Sequence, residues 1–408
     1  MSEAVSPPPP GPELRVDPRL DPPPGLLVRL CARLASWLLR LRGGLPAPSE
    51  LRRVLVVRTD DRVGNALLTV PLVRALQQAL PGAQVDLLVP ASRVAVLQGL
   101  PGLSLVPFEK SDAFRRPLRL LGFLRRLRAA GSGGYDAALD AAHWHSFSLT
   151  SALLTRVATR RWTVGSARGP QALYAASVPL PPPSANEVES KLLLLRGLGL
   201  EPQPPLPLET ALGSGAEAGA FVDAALRSLG LVRFAALNIG ARKVDHRWPP
   251  WKFAALARGL RESHGLLSLV LWGPGEAEAA REVVMAANGA AVLAPATDLD
   301  QLAAIFRRAT LVAANDTGPM HLAVACGARV IALLLASDGA RWSHRGPAFE
   351  GVPVHALSAP GFHGALLSDV GAALNAAARL LVLTAPPARA SFAGSPGAPG
   401  PDTSKEGA

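Results

Sequence analysis

Short apolar runs alternate with amphipathic segments from Arg52 onward. RRVLVVR at 52–58 reads as a buried strand, and the following ALLTVPLVRALQQAL carries apolar residues at helical spacing. Gln84–Val89, Leu103–Phe108 and Tyr135–Ala141 read as further strands, with helices over Phe114–Ala130 and Glu187–Leu198. The pattern then repeats. Phe234–Ile239, Leu266–Trp272, Ala290–Leu293, Thr310–Ala314 and Ala328–Leu335 read as strands. Helices are expected over Trp251–His264, after the GPGE turn, over Asp298–Ala309 behind a Thr297 cap, and over Met320–Cys326. Strand-helix alternation of this kind predicts an α/β protein whose parallel sheets are covered on both faces.

Proline and glycine mark the boundaries. Residues 201–216 read as a linker between an N-terminal domain at 51–210 and a C-terminal domain at 231–383. Residues 1–24 and 384–408 read as disordered low-complexity tails. An amphipathic helix over 25–42 puts Arg29, Arg33 and Arg40 on one stripe and leucines on much of the rest. It is too short and too charged to span a bilayer, but it suits a membrane interface. The competing reading is a helix docked on the protein's own core.

The 408-residue chain carries a net charge of +11, and only five of its 42 basic residues are lysine. That balance favours anionic partners. No basic run interleaves with aromatics, so nucleic acid is not expected. Two cysteines, Cys31 and Cys326, suit a reducing compartment and exclude a disulfide framework or a cysteine metal cluster. The N-terminus lacks a signal-peptide layout.

The stretch NDTGPMHLAVACGARVIALLL at 315–335 aims a helix N-terminus at a sheet's carboxyl edge, where α/β proteins hold phosphates. Two more loops share that edge. Gly240–Trp248 offers Arg242, Lys243 and Arg247, and Gly273–Glu276 offers a carboxylate for ribose hydroxyls. Together they suit a nucleotide diphosphate. Across the presumed cleft, the Thr59–Asn65 loop adds Asp60 and Asp61. The HWHSFS segment puts His143 and His145 at another carboxyl edge, and no further ligand follows at metal-binding spacing. Asp298 and Asp300 read as the acidic first turn of a helix, not as a metal motif. No metal and no cofactor are expected. A nicotinamide dehydrogenase would want three spaced glycines after the first strand, and residues 57–65 offer one.

The set VLVVRTDDRVGNALLTVPL, ARKVDHRWPPWKFAAL, WGPGEAEAA and LVAANDTGPMHLAVACGARVIAL resembles the family 9 glycosyltransferases, the bacterial lipopolysaccharide heptosyltransferases, over about residues 52–383. The resemblance implies a GT-B fold: two facing Rossmann-like domains, with the donor in the C-terminal half and the acceptor in the N-terminal half. It implies inverting, metal-independent transfer of heptose from ADP-heptose to a lipopolysaccharide or lipid A core acceptor. The place implied is the cytoplasmic side of the inner membrane, against an anionic surface. Carried over by position, Asp316, Thr317 and Gly318 form the donor-binding turn, and His321 supports it. Glu276 holds the ribose, and His246 and Arg247 are the basic pair before Trp248. Gly64 is counted with the donor-contacting residues.

Two positions depart from the family pattern. His246 stands where lysine is usual. Asn65 stands where the family's catalytic aspartate is expected, and an amide accepts no proton near neutral pH. Asp60 and Asp61 are the substitute candidates, with Asp61 slightly favoured because it lies nearer the glycine turn. The alternatives are a member using another nucleotide sugar and a catalytically inactive sugar-nucleotide binder.

Overall fold

The computed structural model describes residues 24–382 apart from 43, 130–133, 183–184, 244–245, 336–338 and 355–367. Both low-complexity tails lie almost wholly outside the described residues. The strands are β1 Arg53–Val57, β2 Gln84–Pro90, β3 Ser104–Phe108, β4 Tyr135–Asp140, β5 Thr159–Ser166, β6 Ala176–Val178, β7 Phe234–Asn238, β8 Leu267–Leu271, β9 Ala291–Leu293, β10 Leu311–Asn315, β11 Val330–Leu334 and β12 Phe349–Pro353. They form two six-stranded sheets, ordered β3-β2-β1-β4-β5-β6 and β12-β11-β10-β7-β8-β9, and every pairing is parallel. Each sheet has the doubly wound order, with its topological switch point between β1 and β4 in one and between β7 and β10 in the other. β7 and β10 are buried along their whole length and read as apolar or small-residue runs up to their closing asparagines, because helices cover both faces.

The helices are α1 Leu26–Leu38, α2 Val63–Leu67, α3 Val70–Ala79, α4 Val94–Leu97, α5 Asp112–Arg115, α6 Pro117–Arg128, α7 Leu149–Ala158, α8 Glu187–Leu192, α9 Ala216–Ser228, α10 Pro250–His264, α11 Ala277–Ala286, α12 Leu299–Arg308, α13 Gly318–Ala325, α14 Gly339–Trp342 and α15 Ser368–Val382. Two expected single helices are split by proline. Pro71 opens α3 after α2 ends, and Arg116, just before Pro117, leaves helical geometry at φ −147° and separates α5 from α6. α12 is capped by Asp298, not Thr297, through a capping box with Gln301. Periodicity did not reveal α7, β5, β6 or α9. β5 begins TRRW with two exposed arginines, so its buried half is too short to register as a strand.

Residues 201–215 carry no helix or strand, yet they are tied down. Arg307 donates to the carbonyls of Leu212 (2.9 Å) and Thr210 (2.6 Å), and the N–H of Gly213 donates to Asp300 (2.6 Å). Gly213 has φ +73° and a Cβ there would sit 2.4 Å from Ala304 N, so only glycine lets the connection pass α12 this closely.

Candidate functional site

The loops leaving β7, β8 and β10 converge, as the doubly wound order requires, and face the loop leaving β1. Between them lies a cleft of about 570 Å³. Arg242, Lys243, His246, Glu276, Asp316, Thr317 and Gly318 line it, and Asp61 and Arg62 reach in from the opposite half. Arg247 stands apart: its guanidinium donates to Ala241 O (2.6 Å) and lies 3.9 Å from Glu276, bracing the loop from outside the cleft lining. Glu276 is also structural. Its two oxygens accept N–H groups from Ala241 (3.2 Å) and Gly273 (2.9 Å), clasping two of the three loops together.

Sequence reasoning missed three contributors. Asn315 is fully buried, accepts from Trp248 N (3.1 Å) and donates to Ile239 O (2.8 Å), which registers the β7 loop on β10. Asn238 lines the cleft, and its buried amide nitrogen has no acceptor. Trp272 lines it too, with Leu299 and Leu302 nearby in an apolar end. Single asparagines and one tryptophan at strand ends carry no periodic signal.

α2 packs on α13 across the cleft floor. Gly64 makes this approach possible: a Cβ there would lie 2.5 Å from Cδ2 of His321. At Gly318 the nearest atoms would be 3.6 Å away, so this glycine is the less crowded of the two. His321 is buried, and its Nδ1 meets His344 Nε2 at 2.8 Å. It therefore lies behind the cleft, under the α2–α13 contact.

A second cluster lies at the N-terminal switch point, where the β1 and β4 loops meet α8. His143 Nδ1 lies 2.7 Å from Glu187, and Nε2 lies 2.7 Å from Arg58 and 3.0 Å from the Asn65 amide. With two donors facing Nε2, the ring proton is assigned to Nδ1, directed at Glu187. Glu187 also accepts from Lys191 of its own helix and from Arg341 of α14 (3.1 Å), so one buried carboxylate joins the two halves. Arg341 contacts His145 as well and lies between Trp144 (4.8 Å) and Trp342 (4.6 Å). Burial pushes Glu187 up, but Lys191, His143 and Arg341 outweigh it and hold the carboxyl well below its usual range.

The spacing argument against metal ligands beside His143 and His145 did not foresee Glu187. Its oxygen lies within 4.8 Å of both ring donors, forming a triad of ligand type. Lys191 and Arg341 already meet its charge, so a cation there would have to displace them.

Asp60 and Asp61 part company. Asp61 turns to β2's end, accepting from Ser92 (2.5 Å) and Arg93 (2.6 Å). Asp60 turns to the buried cluster, with Oδ2 3.7 Å from His143 Nε2 and its buried Oδ1 lacking a partner. Burial pushes Asp60 up, but His143, Arg58 and Asn65 together hold its carboxyl below the usual range, so it is ionised. Asn65 is buried and commits its amide to this cluster.

The histidines make stability pH-dependent. Burial pushes His344 down to about 4, and burial, aided by Arg58 at His143 and by His344 at His321, lowers those two rings against the opposing pull of Glu187. The folded state therefore binds fewer protons than the unfolded chain below pH about 6.5, and stability falls as pH drops through that window. For His344 alone the expected loss between pH 7 and pH 5 is about 2 kcal/mol. Urea unfolding at the two pH values checks this, and His344→Gln should flatten the slope. An unchanged midpoint would contradict it.

A model of Glycosyltransferase family 9 (heptosyltransferase) matches residues 123–363. The chain is 23% identical over 286 residues to lipopolysaccharide heptosyltransferase 3 of Escherichia coli, covering 68% of this chain and 82% of that protein. Among solved structures it resembles a family 9 glycosyltransferase from Veillonella parvula (TM-score 0.68, 19% identity, 82% of this chain and 98% of that one). It also resembles the E. coli ADP-heptose lipopolysaccharide heptosyltransferase II (TM-score 0.58, 22% identity, 81% and 98%) and the E. coli heptosyltransferase WaaC with ADP (TM-score 0.57, 23% identity, 73% and 92%). The fold is GT-B.

Proposed function

Because the chain belongs to glycosyltransferase family 9, we propose that it moves a heptose, with inversion, from ADP-heptose to a lipopolysaccharide core acceptor held by the N-terminal half. One observation carries this reading: a single cleft sets cations and a helix N-terminus of one half against the β1 loop of the other, in which Asp61 lines the cleft and the neighbouring Asp60 faces His143. Arg242, Lys243 and the α13 N-terminus supply positive charge for a diphosphate. The orphaned amide of Asn238 supplies a donor that a ligand oxygen would satisfy. Trp272, Leu299 and Leu302 offer an apolar surface for the base, and Asp316, which also lines the cleft, is assigned to the sugar hydroxyls.

In this reading Asp60 takes the proton of the acceptor hydroxyl, whose oxygen then attacks the anomeric carbon opposite the leaving ADP. Arg242, Lys243 and the helix N-terminus stabilise the departing charge. The reading needs no metal. Asp298 and Asp300, an Asp-x-Asp pair, accept the N–H groups of Gln301 and Gly213. The acceptor's lipid anchor would place the enzyme peripherally at the cytoplasmic face of the inner membrane. Among the described residues no helix is long and apolar enough to cross a membrane.

A second reading, an inactive sugar-nucleotide binder, draws on Asn65, whose amide cannot replace a catalytic carboxylate. A donor screen separates them. ADP-heptose with truncated lipopolysaccharide should release ADP faster than UDP-N-acetylhexosamine releases UDP. Arg242→Ala with Lys243→Ala should weaken ADP-heptose binding by about 1.5–3 kcal/mol, typical of a lost hydrogen bond to a charged group. Tight binding with no release would favour the binder, and faster UDP release would replace the donor.

A further inference from the structure

We propose that the exposed leucine stripe of α1, together with an arginine cluster at the C-terminal ends of α1 and α6, forms a docking surface for an anionic lipid bilayer. It rests on the reading of a membrane-anchored acceptor and names the face that meets the membrane.

A helix serving only the protein's own core would bury its leucines. α1 does the opposite. It docks through its small residues: Ala32 is fully buried in a cluster with Ala152, Leu173 and Tyr174, and Ala35 packs against that cluster. Leu27, Leu30, Leu34 and Trp37, at i, i+3, i+7 and i+10, remain 75%, 51%, 57% and 60% exposed. Single exposed leucines are ordinary, but a continuous stripe on one helix marks an interaction surface. At 13 residues α1 is about 20 Å long, too short to span a bilayer and suited to lying in its interface.

The charge beside it selects the partner. α1 and α6 both pack on α7. Where their C-termini meet, Arg156 donates to Ser36 O (3.3 Å), Arg128 to Val157 O (3.3 Å), and Arg42 N to Arg160 O (2.6 Å). Among the described residues none of these four arginines pairs with a carboxylate, Arg128 and Arg156 feel only other arginines as neighbouring charges, and Arg156 Nε is buried without a partner. Four neighbouring guanidinium groups repel one another until an anion arrives. α6 adds exposed Arg119, Arg125 and Arg126 beside exposed Leu118 and Leu121. Leucines beside unpaired arginines match the acyl and phosphate layers of an anionic bilayer.

The test is co-sedimentation of the full chain with vesicles of phosphatidylcholine alone or with 30% phosphatidylglycerol. The wild type should pellet with the anionic vesicles only, and less so at high salt. Arg42→Gln with Arg160→Gln, both exposed, should weaken binding about fivefold per arginine. Leu30→Ser with Leu34→Ser and Trp37→Ser should weaken it at least about tenfold. Equal pelleting of variants and wild type, equal binding to neutral vesicles, or no pelleting overturns the proposal. So does a dimer in solution, without vesicles, that the leucine variant abolishes, since the stripe would then bind a second copy. ADP release with a water-soluble, de-acylated core oligosaccharide reports separately on the transferase reading. The variants should keep it; vesicle binding without any transfer would leave the surface standing and remove the transferase reading.

Discussion

Asp60→Asn is expected to lower turnover by roughly 10²–10⁴ while leaving ADP-heptose affinity near that of the wild type. Of the two loop carboxylates, only Asp60 adjoins Asn65, the position where the family expects its base. Asp61 is held by Arg93 and Ser92 and points away from that cluster. Its replacement should therefore cost much less, chiefly by loosening the loop against β2. Asn65→Asp would put a second carboxylate beside Asp60 and against His143, so like-charge repulsion should harm activity or leave it unchanged. Steady-state rates with truncated lipopolysaccharide decide the matter. A hundredfold gain from Asn65→Asp, with Asp60→Asn silent, would assign the wild type to the inactive binders.

Glu187→Gln should destabilise the protein by about 3–5 kcal/mol, the usual cost of removing one partner from a buried charge cluster. Glu187 has no exposed side-chain surface and meets Lys191, Arg341 and the His143 ring. Removing its charge leaves two buried cations facing a neutral amide. Burial already pulls Lys191 down to about 8 despite Glu187. Without the carboxylate that lysine should shed its proton, which limits the loss. Lys191→Met in the Glu187→Gln background should then recover part of the stability, a coupling that urea unfolding of the double-mutant cycle would reveal. A loss below about 1 kcal/mol would show that the cluster adds little to the joint between the halves.

Much of the fold was legible because parallel strands buried on both faces write themselves as apolar runs. VLVV in β1 and VIALL in β11 need no tertiary context to be read. β5 escaped because Arg160 and Arg161 interrupt its pattern and α7 because Ser151, Thr155 and Arg156 sit on its buried face, and Pro71 and Pro117 split helices that periodicity joins. The cleft residues supplied by three loops were legible as motif and charge. Arg247 and Glu276 were singled out as donor contacts, but their part in bracing and clasping loops depends on backbone groups that periodicity does not locate. The Glu187 cluster was invisible, since it unites residues 58, 65, 143, 187 and 341, and only the packed switch point brings them together. The same packing separates Asp60 from Asp61, which adjacency in sequence could not.

The central claim is a division of labour: the C-terminal half binds the donor and the β1 loop of the N-terminal half supplies the base. Calorimetric titration of ADP-heptose into Asp60→Asn and into Arg242→Ala/Lys243→Ala tests it most directly. The account predicts wild-type affinity for the first and affinity weakened at least about tenfold for the second. Wild-type affinity in the arginine–lysine variant, or loss of affinity in Asp60→Asn, would contradict it.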